Sequence, residues 1–396
     1  MKKLPLLLAG LLSLAGLYAC TSPTQPTSDT ASTQRDMAAY RARSEHWKKI
    51  DKDFIQAELA ALGLEEPKKP AYTKEFGFDP KQSVEWFKTA EGQRIANILV
   101  SFQTPSGGWS KRTDMSQQPR QPGEAFGVEE HYIPTFDNAA TSTQLDLLAK
   151  AYTATGKAVY ADAFYKGINL ILDAQYPNGG WPQNYPLVGS YHDHITYNDA
   201  LMRDIMVLLD NVSKGDGAFA FVSSDVKAQT TAALDKAIDC VLKTQVRQGD
   251  QLSIWGAQHD AVTLQPAQAR AYEMPALSTT ESVAMLEFLM TRPNPSPALI
   301  NAIHAAAAWY EANKILGYTW KRGEKALTAD ADAEPMWSRF VDLETNRPVF
   351  GDRDGSVYYD NGQVSQERLD GYAWFSTAPN KVLKKYAKWA KKYPLQ

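Results

Sequence analysis

Cysteine is nearly absent: Cys20 and Cys240 are the two in 396 residues. So few thiols leave no disulfide framework and no cysteine cluster for zinc or iron–sulfur chemistry. Cys240 falls within the apolar pattern of Ala237, Ile238 and Val241, the setting of a buried, inert thiol. An excess of either charge is also missing, with 42 Lys and Arg against 45 Asp and Glu and a net charge of −3. No global basic field calls for nucleic acid or another polyanion, although basic residues can still be concentrated locally. The chain has no P-loop, nucleophile-elbow serine or zinc-protease motif. His192 and His194 stand two apart, but no third ligand follows at a persuasive spacing, so they read as positioning or packing residues rather than a zinc pair.

Beyond the N-terminus no apolar run approaches a membrane span. At the start, Lys2 and Lys3 precede an apolar run from Leu4 to Leu17, the pattern of an export signal over residues 1–19. Leu17-Tyr18-Ala19-Cys20 resembles a bacterial lipobox, which predicts an acylated Cys20 and membrane anchoring of an otherwise soluble protein. Thr21, where an Asp would retain such a protein at the inner membrane, directs the expectation to the outer membrane. Ordinary secretion is the alternative. Residues 20–35, rich in Thr, Ser, Pro and Gln, read as a flexible tether. Residues 36–71 read as a helical arm with Trp47, Ile50, Phe54 and Leu62 on one face. Residues 72–396 then form one unit, expected to be a monomer.

What the chain has in abundance is a recurring polar and aromatic grammar. Gln103 leads to Gly107-Gly108-Trp109, Gln175 to Gly179-Gly180-Trp181, and Gln245 to Trp255-Gly256, with steps of 72 and 70 residues between the glutamines. A second series opens the intervening helices: Asp137-Asn138, Asn198-Asp199 and Thr280-Glu281. Repeats of this length, each with two helices, predict hairpins packed side by side. If they curve into a ring, their polar starts gather at one end, where the site is expected. The richest stretch runs from Gln175 to Arg203 and includes GGWPQNYP, a loop of the kind that carries binding sites on a rigid scaffold.

Ser83 is placed to cap the first helix of the unit, and Gly156 to stop the one carrying Leu145, Leu148 and Tyr152. Ser296-Pro297 pairs a capping hydroxyl with proline at the first helical position, and Asn380 is placed to cap the last helix. Val349-Phe350 and Val357-Tyr358-Tyr359 flank a Gly-Asp-Arg-Asp-Gly turn, which predicts a β-hairpin within residues 338–360. The expected fold is mainly α with minor β.

The chemistry rests on carboxylates at helix starts (Asp137, Asp199, Glu281) and on Arg112, Arg270, Arg339 and Arg353 in loops. Singly, the acids do no more than complement helix dipoles and the arginines pair with surface acids. Asp137 and Asp199, however, recur at one place in consecutive repeats beside amide- and aromatic-rich loops. Oxygen ligands of this kind suit calcium, and Trp and Tyr faces suit sugars. Arg270 lies in a segment with few charges to pair with it, which predicts an anionic substrate.

These motifs resemble the pectate lyases of polysaccharide lyase family 10. The resemblance is carried by GGWPQNYP (179–186), TFDNAAT (135–141), TYNDALMRD (196–204), WGAQHD (255–260), ARAYEMP (269–275), and an Arg-Phe pair followed by GDRDG. It covers about residues 72–393 in order. It implies an incomplete (α/α) toroid that cleaves polygalacturonate or its oligomers by calcium-assisted β-elimination. It also implies that Arg270 is the base, that Asp137 and Asp199 serve calcium and substrate, and that Arg339 and Arg353 bind galacturonate carboxylates. Asn138, Trp181, Gln183, Asn184 and His259 are the further substrate contacts expected. Clustered positive charge and calcium together are expected to lower the Arg270 pKa. Were Arg270 only a carboxylate clamp, His259 or Tyr272 would be the nearest substitutes. A glycoside hydrolase using Asp137 and Asp199, or a binding protein without turnover, are the alternatives from the residues alone.

Overall fold

The computed structural model describes residues 28–395, with side chains from residue 36. The signal segment and Cys20 therefore lie outside the described residues. Helices α1 (Ser28–Leu62), α2 (Ala90–Ser101), α3 (Ser142–Thr155), α4 (Ala158–Ala174), α5 (Leu201–Lys214) and α6 (Ser224–Thr244) fill the first two-thirds of the chain. They are followed by α7 (Thr279–Leu289), α8 (Pro297–Ala312), the short α9 (Gln366–Gly371) and α10 (Pro379–Lys392). Helix α1 begins at Ser28, so the tether expected over residues 20–35 is already helical in its second half. None of the described helices is long and apolar enough to cross a membrane.

Three hairpins, α3–α4, α5–α6 and α7–α8, stand side by side. Helices α3, α5 and α7 follow one another in one row and α4, α6 and α8 in a second, with α2 and α10 at the two ends. This is the incomplete (α/α) toroid. Leu145, Leu148, Ile168, Ile171, Leu201, Ile205, Leu286 and Ile303 lie in its single large core. Gly156 stops α3 in the left-handed conformation and Ser296 caps α8, as their residue types predict. Ser83 instead serves a short 3-10 turn, and Thr89 caps α2. Helix α10 starts at Pro379, and the Asn380 amide donates to the Pro335 carbonyl, so Asn380 ties two segments rather than capping.

The repeated glutamines explain how the hairpins are joined. Gln103 donates to the carbonyls of Gly107 and Ala163, Gln175 to those of Gly179 and Ala233, and Gln245 to those of Ser253 and Ala302. Each thus staples its own loop to the second helix of the next hairpin. A Cβ on Gly107 or Gly179 would meet the Lys166 or Lys236 carbonyl oxygen at 2.7 or 2.1 Å, so side-chain-free backbone lets loop and helix touch. Trp109, Trp181 and Trp255 then drop into the core, and their indoles donate to Leu99, Ile171 and Val241 carbonyls.

The arm is docked rather than free. Asp51 accepts from the Ser106 amide at 2.7 Å and its hydroxyl at 2.6 Å, Glu58 pairs with Arg120, and Ser44 accepts from the Leu187 amide. Beside the toroid lies a second apolar cluster of Tyr272, Phe340, Phe350, Tyr372 and Trp374. Over it run short antiparallel pairs, including Phe350–Gly351 with Val357–Tyr358, the expected hairpin. The pairing of Leu277–Ser278 with Phe340–Val341 connects this lobe to the start of α7.

Candidate active site

The starts of α3, α5 and α7 do gather. Residues 137–139 and 198–200 form 3-10 turns packed against each other, and the second also touches α7. In each turn two consecutive residues are left-handed: Asn138 and Ala139 at φ 52° and 58°, Asp199 and Ala200 at 52° and 62°. Non-glycine residues in this region carry strain of about 1–3 kcal/mol, which surrounding structure must hold in place. The geometry buries the first side chain and exposes the second. Asp137 and Asn198 point inward, whereas Asn138 and Asp199 face solvent.

The two aspartates therefore do not hold equivalent places, as the sequence pattern had suggested. Asp137 is buried, accepts from the Lys111 ammonium at 2.5 Å and from the Asn138 amide at 3.0 Å. Lys111 in turn lies 3.4 Å above the Tyr132 ring. Asp199 has no side-chain hydrogen bond among the described residues. Its recessed surroundings, and then the carboxylates of Asp137 and Glu281, push its pKa up to about 6 against the pull of Arg339 and Arg270. The buried Asn198 Oδ1 beside it is an acceptor without a partner. Exposed carboxylate, unpaired amide oxygen and crowded negative charge fit a hard cation with oxygen ligands. Among the described residues no three His, Cys, Asp or Glu side chains come together to cage a metal, so the remaining ligands would have to come from substrate and water.

The arginines assemble on the second cluster. Arg339 Nη2 donates to Glu281 at 2.5 Å, and its guanidinium lies 4.6 Å from the Tyr372 ring centre. Arg270, Arg353 and Arg368 sit 4.9, 5.6 and 4.6 Å from the Tyr272 ring centre. Arg353 is exposed and paired with Glu367, which also binds Arg368. Arg112 belongs elsewhere, paired with Glu129 on the Lys111 side.

Arg270 has a partner that the sequence reading overlooked. Buried Glu273 takes Nε at 2.7 Å and also binds Nη2, while the Tyr372 hydroxyl donates to the same carboxylate at 2.7 Å. Nη1 makes no hydrogen bond among the described residues, and 44% of the side chain remains exposed. Burial favours the neutral form of Arg270, but the hydrogen bonds and charge of Glu273 outweigh it and raise its pKa. Without calcium the direction is therefore upward, set by Glu273 rather than by clustered positive charge. For Glu273 burial likewise works upward, and Arg270 outweighs it to hold the carboxyl below its usual range.

Several expected sugar contacts are structural. Trp181 is fully buried and offers no face to a ligand. His259 is fully buried too, its Nε2 accepting from the Gly256 amide and its Nδ1 donating to the Leu264 carbonyl. Burial lowers its pKa to about 4, so it is a neutral strut and neither a sugar contact nor a substitute base. Asn184 is buried between Thr135 and the His131 carbonyl. Gln183 is buried with an unpartnered Oε1, while its backbone carbonyl accepts from Phe136. Tyr272 is a buried platform for arginines. Cys240 is buried, and desolvation pushes its thiol up to about 12, as an inert role requires. Lys111, Glu273, Arg368 and Tyr372 are the charged and aromatic members that the sequence reading did not single out.

The family model described as "Pectic acid lyase" matches residues 103–383. A solved family 10 polysaccharide lyase from Cellvibrio cellulosa is 35% identical, with a TM-score of 0.68, and the match covers 79% of this chain and 95% of that one. A mutant of a family 10 polysaccharide lyase from the same organism, in complex with trigalacturonic acid, is 36% identical with a TM-score of 0.68 and covers 76% and 95%. No curated protein matches the chain. A helical toroid with arginines facing carboxylates is thus that of a polysaccharide lyase. The chain belongs to the pectic acid lyase family, and the hydrolase and binding-protein alternatives fall away.

Proposed function

We propose that the protein cleaves polygalacturonate or its oligomers by calcium-assisted β-elimination at the junction of Asp199 and Arg270. The observation that carries this reading is the placement of one exposed, unpaired carboxylate opposite a set of arginines that share two tyrosine platforms. A uronate chain presents one carboxylate per sugar, and Arg339 and Arg353 supply planar forks of the complementary charge. Asp199 and the Asn198 amide oxygen would hold the calcium together with the substrate carboxylate, and the ion would draw charge onto that carboxylate and acidify the C5 hydrogen.

Arg270 is the group assigned to the C5 proton. Its free Nη1 and half-open side chain support the assignment, and burial supplies a pull toward the neutral form that removal of the Glu273 charge would release. In the reaction Arg270 first gives its own proton to hydroxide and then takes the C5 proton; the C5–H electron pair becomes the C4–C5 double bond, the C4–O bond breaks, and the departing oxygen takes a proton from water. Charge accumulating on the C6 carboxylate is stabilised by cations already in place, so stabilisation is greatest in the transition state. Asp137 is committed to Lys111, and its part is to hold that buried ammonium beside the 137–139 turn.

We further propose export with an acyl anchor at Cys20, which Cys20→Ala should release from membranes. The activity itself is tested by incubation with polygalacturonate and calcium. Ultraviolet absorbance of an unsaturated uronide is expected, and new reducing ends without absorbance would refute elimination.

A further inference from the structure

Helix α10 carries an uneven charge for a chain that is close to neutral overall. Lys381, Lys384, Lys385, Lys388, Lys391 and Lys392 are all exposed, and residues 379–396 contain no acid. Offsets of three, four, seven, ten and eleven place all six on one stripe about 16 Å long at 1.5 Å per residue. Only Lys385 has a carboxylate partner among the described residues, Glu287 at 2.7 Å. The opposite face is committed to the core through Val382, Leu383 and Trp389, against α7 and α8.

We propose that this lysine stripe is a second docking surface for the polyuronate chain, separate from the cleavage groove. The proposal rests on the reading that the substrate is a polyuronate. A linear polymer with one carboxylate per sugar fits a linear row of ammonium groups, and no fixed register is needed because lysine heads are mobile point charges. A lipid surface fits less well, because a helix that lies in a membrane needs a free apolar face and here that face is buried. The stripe also starts close to the site. Helix α10 follows Phe375–Ser376, which pairs with Trp337–Ser338, next to Arg339. A chain that overruns the groove can therefore be caught by the same molecule, which raises affinity for polymer without touching the chemistry.

The test uses the full chain carrying Lys381→Glu, Lys384→Glu, Lys388→Glu and Lys391→Glu, with a matched set of Lys→Arg changes. All four sites are exposed, so the fold is expected to stand, and the arginine set keeps the charge if it does not. Affinity electrophoresis through polygalacturonate in the presence of chelator reads docking without cleavage, with dextran as the neutral control. The Glu set should lose at least about tenfold in retention, the Arg set should keep it, and added salt should weaken the native protein. KM for polymer should rise while KM and kcat for trigalacturonate stay put. Equal retention of native and Glu proteins would overturn the proposal. So would a loss confined to phosphatidylglycerol vesicles, which would make the stripe a membrane contact. Turnover of trigalacturonate reports the cleavage reading separately, so failure of one is not failure of the other.

Discussion

Asn138 and Asp199 hold the same place in two neighbouring turns, each with φ of 52° and each turned outward to solvent. The backbone of one repeat thus presents an amide where the next presents a carboxylate. Asp199→Asn converts the second into a copy of the first. It should cut turnover about a hundredfold or more while leaving the fold intact, since Asn tolerates this conformation well. Added calcium should raise the melting temperature of the native protein and not of the variant, as binding to the folded state requires. Normal turnover with only a small change in melting temperature would return Asp199 to the role of a helix-dipole partner.

Glu273→Gln removes the carboxylate that holds Arg270 charged. If Arg270 must lose its proton to act as the base, kcat should rise with pH in the native protein; in the variant the Arg270 pKa should fall, so that rise should move to lower pH. Were Arg270 only a cationic clamp, the variant would weaken substrate binding and leave the profile of kcat where it was. A pH series of kcat and KM separates the two.

The toroid was legible in the sequence because its signals are local and repeated: glutamine, glycine pair, tryptophan, then a polar helix start. The same repetition misdirected the site. Trp181 looked like a sugar platform, yet Trp109 and Trp255 stand at matching positions and all three indoles donate to the backbone of the preceding helix. A residue repeated in every hairpin marks the architecture, whereas Asp199 differs from its counterpart Asn138 and is open to solvent. Glu273 escaped notice although it lies three residues from Arg270, because only the folded loop turns the two side chains together. Arg368 and Tyr372 join through contacts across the second cluster, for which the chain has no periodic signal.

Trp181→Ala should therefore act on stability. Truncating a fully buried aromatic costs about 3–5 kcal/mol, and here it also orphans the Ile171 carbonyl. Denaturant unfolding should show that loss. Trp181→Phe, which stays folded, should bind trigalacturonate as tightly as the native protein.

Asp51 makes stability depend on pH. Burial, partly offset by its bonds to Ser106, raises its pKa to about 6 in the folded protein. Below the unfolded value near 4 both states are protonated and no penalty exists. As pH rises from about 4 through 6 the unfolded state releases its proton first, so stability falls and stays lower above 6. Asp51→Asn retains an acceptor for the Ser106 amide and lacks the charge. It should be about 1–2 kcal/mol more stable than the native protein at pH 8, with the difference gone near pH 4. Unfolding curves at the two pH values check this.

Arg270→Lys tests the assignment of the proton step most directly. Lysine keeps a cation near Glu273 but loses the planar fork and with it the unpaired Nη1. Single-turnover cleavage of trigalacturonate under saturating calcium isolates the chemical step from binding. The rate should fall about a hundredfold or more, with substrate affinity kept by Arg339 and Arg353. A variant that turns over at nearly the native rate but needs far more substrate would show that Arg270 only grips the carboxylate, and would contradict the account.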